Sequence, residues 1–383
     1  MLAQRTAANQ AFFQDVAGDL ARLCHRMAER FARGGRLIAF GRSPAARSDA
    51  RHIAVEFVHP VIVGKRALPA IGLSGEGGAL PRQVGLLARP DDIAIAFGAG
   101  QDGGEAELAV QVARRRGCLT VAFEAAGAEW EPQPPAGDPD VAQELVETLY
   151  HVLWELVHVF FEHRGLLDGR SSRPTHDAGA SSFLYPFLDE REHDLGALLE
   201  DVRRSVLAKA AEIGELREQT LCENRAALET AAVAVRAGLE AGGAVLALGN
   251  GGSATDAMDV VADLQTAGAA AIDLTGDPAI LTAIANDIGA DAMFARQVIA
   301  YGRPNDTLLA LSTSGNSRNI VDALAEARRR GLRTVAMVGY DGGLVASAAL
   351  ADHVIITRSE HIPRIQEAQA SAYHVLLRLV AEP

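Results

Sequence analysis

Gly242-Gly-Ala-Val-Leu-Ala-Leu-Gly249-Asn-Gly-Gly-Ser253 is a short apolar run framed by glycines and followed by a Gly-rich turn. Its pattern predicts a buried strand that ends in a tight loop before a helix. Gly34-Gly-Arg-Leu-Ile-Ala-Phe-Gly41 carries the same pattern 208 residues earlier, after another long Ala/Leu/Arg-rich stretch. Ala113-Arg-Arg-Arg-Gly117 with Leu119 to Phe123 recurs as Ala327-Arg-Arg-Arg-Gly331 with Arg333 to Met337, at an offset of 214. Gln143-Glu144, with His151 eight residues past the Gln, recurs as Gln366-Glu367 with His374, at an offset of 223. Three matches in the same order make the chain a tandem repeat.

Each repeat alternates helical and short β-rich stretches, which predicts an α/β fold: a parallel, doubly wound sheet flanked by helices, with a long helical arm. In the second repeat the strands are expected at Ala244 to Leu248, Ala271 to Leu274, Thr307 to Leu311, Thr334 to Val338 and His353 to Ile356. The domains are read as 1–164 and 194–383. The intervening 165–193 is rich in Gly, Ser, Asp and Arg without periodicity and reads as a linker.

The 383 residues carry 36 Lys+Arg against 49 Asp+Glu, a net charge of −13. Such a surface repels polyanions, so nucleic acid is not an expected partner. No apolar run approaches the length of a membrane span, no signal-peptide pattern opens the chain, and Cys24, Cys118 and Cys222 form no CxxC motif. These features predict a cytoplasmic protein with no membrane association. A small anionic ligand stays compatible with the charge, because a helix N-terminus binds phosphate without cationic side chains.

Two loops fit that role. Gly249-Asn-Gly-Gly-Ser253 follows one expected strand, and Ser312-Thr-Ser-Gly-Asn-Ser317 follows another, each directly before a helix. In a doubly wound sheet such loops converge at the C-terminal ends of the strands. Neither contains Lys, so neither is a P-loop, and no nucleotide cofactor is expected. The pairing of GNGGS with STSGNS resembles the sugar isomerase (SIS) fold family, most closely its phosphoheptose isomerases. The resemblance covers nearly all of the second repeat, including Ala285-Asn-Asp287 and Arg364-Ile-Gln-Glu367, and makes the fold class two tandem SIS domains, flavodoxin-like. It implies phosphate binding by Asn250, Gly251, Ser253, Ser312, Thr313, Ser314 and Ser317, and substrate binding by Asp287 and Gln366.

The repeats depart from the family in opposite ways. Phosphoheptose isomerases place a His and a Glu four residues apart on the helix after the first loop. The second repeat has Asp259 and Asp263 there, whereas the first keeps His52 and Glu56, on one helical face. The phosphate loops of the first repeat, by contrast, have decayed to Gly41-Arg-Ser-Pro-Ala-Ala-Arg-Ser48 and Gly98 to Gly103, the latter without a hydroxyl. Some family members hold zinc on a His, a Glu, a Gln and a second His, which implies His52, Glu56, Gln143 and His151 as metal ligands here. Asp263 lies ten residues past Ser253, about 15 Å along a helix, too far to serve its own phosphate loop.

The expected enzyme is therefore a phosphosugar aldose-ketose isomerase with a composite site. The second repeat would hold the phosphate, and Glu56, His151, His374 and Asp263 would be the catalytic set. The resemblance implies sedoheptulose 7-phosphate as substrate, a glycero-manno-heptose 7-phosphate as product, and a homodimer presenting four SIS domains. The alternative is a non-catalytic sugar-phosphate-binding regulatory or assembly protein of the same fold.

Overall fold

The computed structural model describes residues 2–61, 65–75, 78–101, 103–135, 137–162 and 194–382; the expected linker, 165–193, lies outside them. Two compact units are present, Ala3–Gly214 and Glu215–Pro383. In chain order the first holds α1 (Leu2–Ala32), β1 (Leu37–Phe40), α2 (Pro44–Val58), β2 (Ala70–Leu73), α3 (Leu80–Leu87), β3 (Ile93–Ala96), α4 (Glu105–Arg115), β4 (Leu119–Ala122) and α5 (Pro139–Glu162). The division between the units falls inside α6 (Leu195–Glu223), whose Leu198, Val202, Val206 and Ala210 are buried in the core of the first.

The second unit continues with α7 (Arg225–Glu240), β5 (Val245–Leu248), α8 (Gly252–Thr266), β6 (Ala271–Asp273), α9 (Pro278–Asp287), α10 (Met293–Tyr301), β7 (Thr307–Ser312), α11 (Arg318–Arg329), β8 (Arg333–Gly339), α12 (Gly343–Ser347), β9 (His353–Thr357) and α13 (Ile362–Ala381). The five strands read from the second repeat are all present. Its sheet has the order β6-β5-β7-β8-β9 and is parallel throughout, the doubly wound flavodoxin-like order. The first sheet, β2-β1-β3-β4, repeats that order up to its fourth strand. Where a fifth strand would follow, a single parallel bridge joins Trp130 to Val121.

Strands flanked by helices on both faces must be apolar on both faces. In β5, Val245 and Ala247 enter one apolar cluster while Leu246 and Leu248 enter another. β1 divides in the same way, with Leu37 and Ala39 on one side and Ile38 and Phe40 on the other.

The glycines of the repeated motif have steric reasons. A Cβ on Gly243 would lie 2.3 Å from the Asn305 carbonyl oxygen, and one on Gly35 would lie 2.0 Å from that of Asp91. At the other end of the motif, a Cβ on Gly249 would meet the Ser253 carbonyl oxygen at 2.1 Å. Buried aspartates also recur: Asp306 accepts from Ala244 N (2.8 Å) and Arg303 N (2.8 Å), as Asp92 does from Arg36 N (2.8 Å) and Arg89 N (3.0 Å). The duplication thus extends to the hydrogen bonds that seat the central strands. No helix among the described residues is long and apolar enough to cross a membrane.

Candidate functional site

In the second unit, the loops after β5 and β7 open at the C-terminal edge of the sheet, each at the N-terminus of the next helix. Gly251, at φ +59, makes the turn into α8, and Ser253 is buried in the first turn. The two loops are tied by a reciprocal amide pair: Asn250 Nδ2 donates to Asn319 Oδ1 (3.0 Å), and Asn319 Nδ2 to Asn250 Oδ1 (2.9 Å). Ser312 Oγ accepts from Gly315 N (3.1 Å) and Ser314 Oγ from Asn316 N (3.2 Å), which fixes both side chains. Ser317 is the N-cap of α11 but caps no backbone N–H with its side chain. Backbone donors at two helix N-termini and these hydroxyls form a cradle suited to an anion.

Helix α13 runs past these loops. Gln369, fully buried, donates from Nε2 to the Ser312 carbonyl (3.5 Å), while its Oε1 and that of buried Gln366 have no hydrogen-bond partner among the described residues. His374 is buried on the same helix and Asp259 on α8. Asp263 and Asp287 are exposed; Asp287, the last residue of α9, accepts from the Asn286 side chain (2.8 Å). Asn319 and Gln369 were missed by sequence reasoning. Neither is a hydroxyl or a glycine, so the loop pattern gave no signal for them.

The first unit has a different centre. His52 and Glu56 sit one turn apart on α2, and His151 faces them from α5. His52 Nε2 lies 3.2 Å from His151 Nε2 and 3.9 Å from Glu56 Oε1, and the Tyr150 hydroxyl lies 2.9 Å from His52 Nδ1. All four side chains are buried. Burial, and then the neighbouring His151, hold His52 well below the ordinary imidazole pKa, so it is neutral at physiological pH. Ligand atoms of His52, Glu147 and His151 all lie within 4.8 Å of one another. Glu147 was not singled out from the sequence, although Glu147 and His151 have the four-residue spacing that puts two ligands on one helical face. Glu56 falls outside that group, and Gln143 is half-buried one turn before Glu147.

The polar side chains of the first loop of this unit are engaged within the protein. Ser43 is consumed as the N-cap of α2, accepting from Ala46 N, and the Arg42 guanidinium pairs with Glu105 (3.0 Å).

Residues 210–339 match the family model described as SIS domain. A phosphoheptose isomerase of Pelodictyon phaeoclathratiforme is 42% identical over 175 residues, covering 43% of this chain and 82% of that protein. Another, from Chlorobium phaeovibrioides, is 37% identical over 201 residues, covering 50% of this chain and 90% of the relative. The chain belongs to the phosphoheptose isomerase family of SIS-domain proteins. Solved structures extend the likeness of fold over both units. The C-terminal domain of glucosamine-fructose-6-phosphate aminotransferase from Francisella tularensis covers 99% of the chain at TM-score 0.62 and 9% identity, with 93% of that domain matched. Tagatose-6-phosphate ketose/aldose isomerase from Escherichia coli also covers 99%, at TM-score 0.58 and 14% identity, with 90% of it matched. At such identities the likeness concerns the fold alone. The GNGGS and STSGNS sequences thus stand in one repeat and the His52/Glu56 pair in the other.

Proposed function

We propose that the chain is an aldose-ketose isomerase of a sugar phosphate, with sedoheptulose 7-phosphate as its substrate and a glycero-manno-heptose 7-phosphate as its product. The observation that carries this reading is the paired loop cradle of the second unit, locked by the Asn250–Asn319 amides and lined by Ser253, Ser312, Thr313, Ser314 and Ser317. A phosphate held there receives backbone N–H groups from two helix N-termini, and Gln366 offers an amide oxygen to a sugar hydroxyl. The proton carriers are divided between the repeats, Glu56 from the first and His374 from the second as imidazole acid, His151 belonging to the candidate metal donor set.

The chemistry needs one carboxylate and one acid. Glu56 removes a proton from the hydroxymethyl carbon next to the ketone, and the C–H electron pair forms the enediol double bond as the carbonyl oxygen gains a proton from imidazole. The same carboxylate returns its proton to the former carbonyl carbon, and the hydroxyl proton of the terminal carbon goes back to imidazole. An aldose results with no net change in atoms. The donor set of His52, His151 and a neighbouring carboxylate fits a zinc-class ion, which supplies Lewis-acid polarisation of a carbonyl when bound.

Incubation with sedoheptulose 7-phosphate in D2O, followed by proton NMR, tests the reading. Deuterium uptake beside the carbonyl with appearance of an aldose is the expected result; binding of the sugar without exchange would overturn it. That second outcome describes a sugar-phosphate sensor, which Asp259 in the place of the family's imidazole favours.

A further inference from the structure

We propose that Tyr340 is a sugar-contacting residue of the second unit, placed to hold the carbon chain of a sugar whose phosphate occupies the paired loops. Three non-glycine residues among the described ones have positive φ: Asn305 at +77, Tyr340 at +54 and Ala349 at +47. Asn305 and Ala349 stand in the turns that lead into β7 and β9, at the opposite end of the strands from the phosphate loops. Tyr340 instead follows β8, at the edge where those loops lie. A left-handed backbone is rare and costly for a bulky side chain.

The same loop shows what its backbone alone requires. Its two other left-handed positions, at φ +92 and +55, are Gly342 and Gly343. A glycine at 340 would meet the same requirement without strain, so the tyrosine is accounted for by what its side chain does. Strain of this kind gathers at ligand sites. At the offset of 214 the first repeat has Ala126, which is not at positive φ, and that repeat lacks the STSGNS sequence. Strain and phosphate loop thus occur together.

The neighbours of Tyr340 fix where it stands. Gly339 N donates to the Thr313 carbonyl (2.9 Å), Val345 N to that of Gly315 (3.1 Å), and Leu344 N to Asn316 Oδ1 (2.8 Å). The loop after β8 is thereby fastened along the phosphate loop after β7. A Cβ on Gly339 would also come within 2.6 Å of Ile365, the residue before Gln366. Tyr340 therefore begins next to both the phosphate loop and the turn of α13 that carries Gln366. It is half-buried, and its hydroxyl has no hydrogen-bond partner among the described residues. A phenol offers an apolar face to C–H groups and a hydroxyl to a sugar hydroxyl, but no charge to a phosphate.

Tyr340 has this role only if the second unit holds a sugar phosphate as proposed above, and one set of titrations separates the two. The full chain and its Y340G variant are titrated by calorimetry with sedoheptulose 7-phosphate and with inorganic phosphate. Y340G should bind the sugar phosphate at least about 10-fold more weakly and inorganic phosphate within about twofold of the native chain, with a Tm no lower than native, because glycine relieves the strain. Native affinity of Y340G for the sugar phosphate would overturn the role of Tyr340 and leave the sugar-phosphate site standing. Equal loss of both ligands with a fall in Tm would also overturn it, since Tyr340 would then only brace the phosphate loop. A native chain that does not bind the sugar phosphate would overturn the site and the role of Tyr340 together. Should Y340G fail to fold, Y340N decides on the same criteria, because asparagine tolerates the left-handed state.

Discussion

Glu56 and the three cysteines show how far a side chain's surroundings determine its chemistry. Glu56 is buried on α2 beside His52, and it is the carboxylate proposed above as the base. Glu56→Gln removes the base and keeps the shape. It should lower kcat by on the order of 10²–10⁴-fold, with sugar-phosphate binding little changed in calorimetry. Cys24 is fully enclosed, and burial pushes its thiol far up. Cys118 donates to the Arg89 carbonyl (3.2 Å), and burial pushes it up to about 11. Cys222 alone of the three is exposed. Since the thiolate is the reactive form, Ellman's reagent should titrate one thiol in the native chain and three after denaturation.

At the scale of elements, the amide pair between the β5 and β7 loops joins two helix N-termini into one cradle. Asn319→Ala leaves the Asn250 amide facing no partner. Water can reach the exposed Asn250 amide, so the loss should cost only about 0.5–1.5 kcal/mol in thermal unfolding, and it should raise KM more than it lowers kcat. Helix α5 carries a titration of its own. His158 has its ring nitrogens 2.8 and 2.9 Å from the Trp154 and Arg66 carbonyls, yet burial outweighs those acceptors, and nearby Lys65 adds repulsion, so its pKa is lowered from 6.5. The unfolded chain therefore binds the proton first: the contribution of His158 to stability is intact above about pH 6.5 and is lost as pH falls below it. Between about pH 7 and about pH 5 the native Tm should drop further than that of His158→Gln.

Elements were the most legible level of the sequence. Buried parallel strands are apolar on both faces, so short apolar runs alternating with helical stretches located β5 to β9, and glycines that tolerate no Cβ stand at the ends of β5 (Gly249) and β8 (Gly339). Side-chain meetings between helices were less legible. Glu147 faces His52 only because α2 and α5 pack together, and Gln369 reaches Ser312 across the end of the sheet; neither approach leaves a mark on local periodicity.

For the whole molecule, the repeat accounts for two units with the same strand order up to the fourth strand, and for their division of equipment. We expect a homodimer in solution, with light scattering giving twice the 40.4 kDa chain mass. A strict monomer would count against a four-domain assembly.

The shortened edge of the first sheet bears on motion. Ala122 N donates to the Trp130 carbonyl at an isolated bridge, while its repeat equivalent, Ala336, lies in a strand flanked on its outer side by the full length of β9. Breaking the first contact requires only a brief lifting of the segment around Trp130; breaking the second requires β9 to leave the sheet. Deuterium should therefore replace the Ala122 amide proton by local opening, orders of magnitude faster than that of Ala336, so the two halves of a duplicated chain would keep time on different clocks.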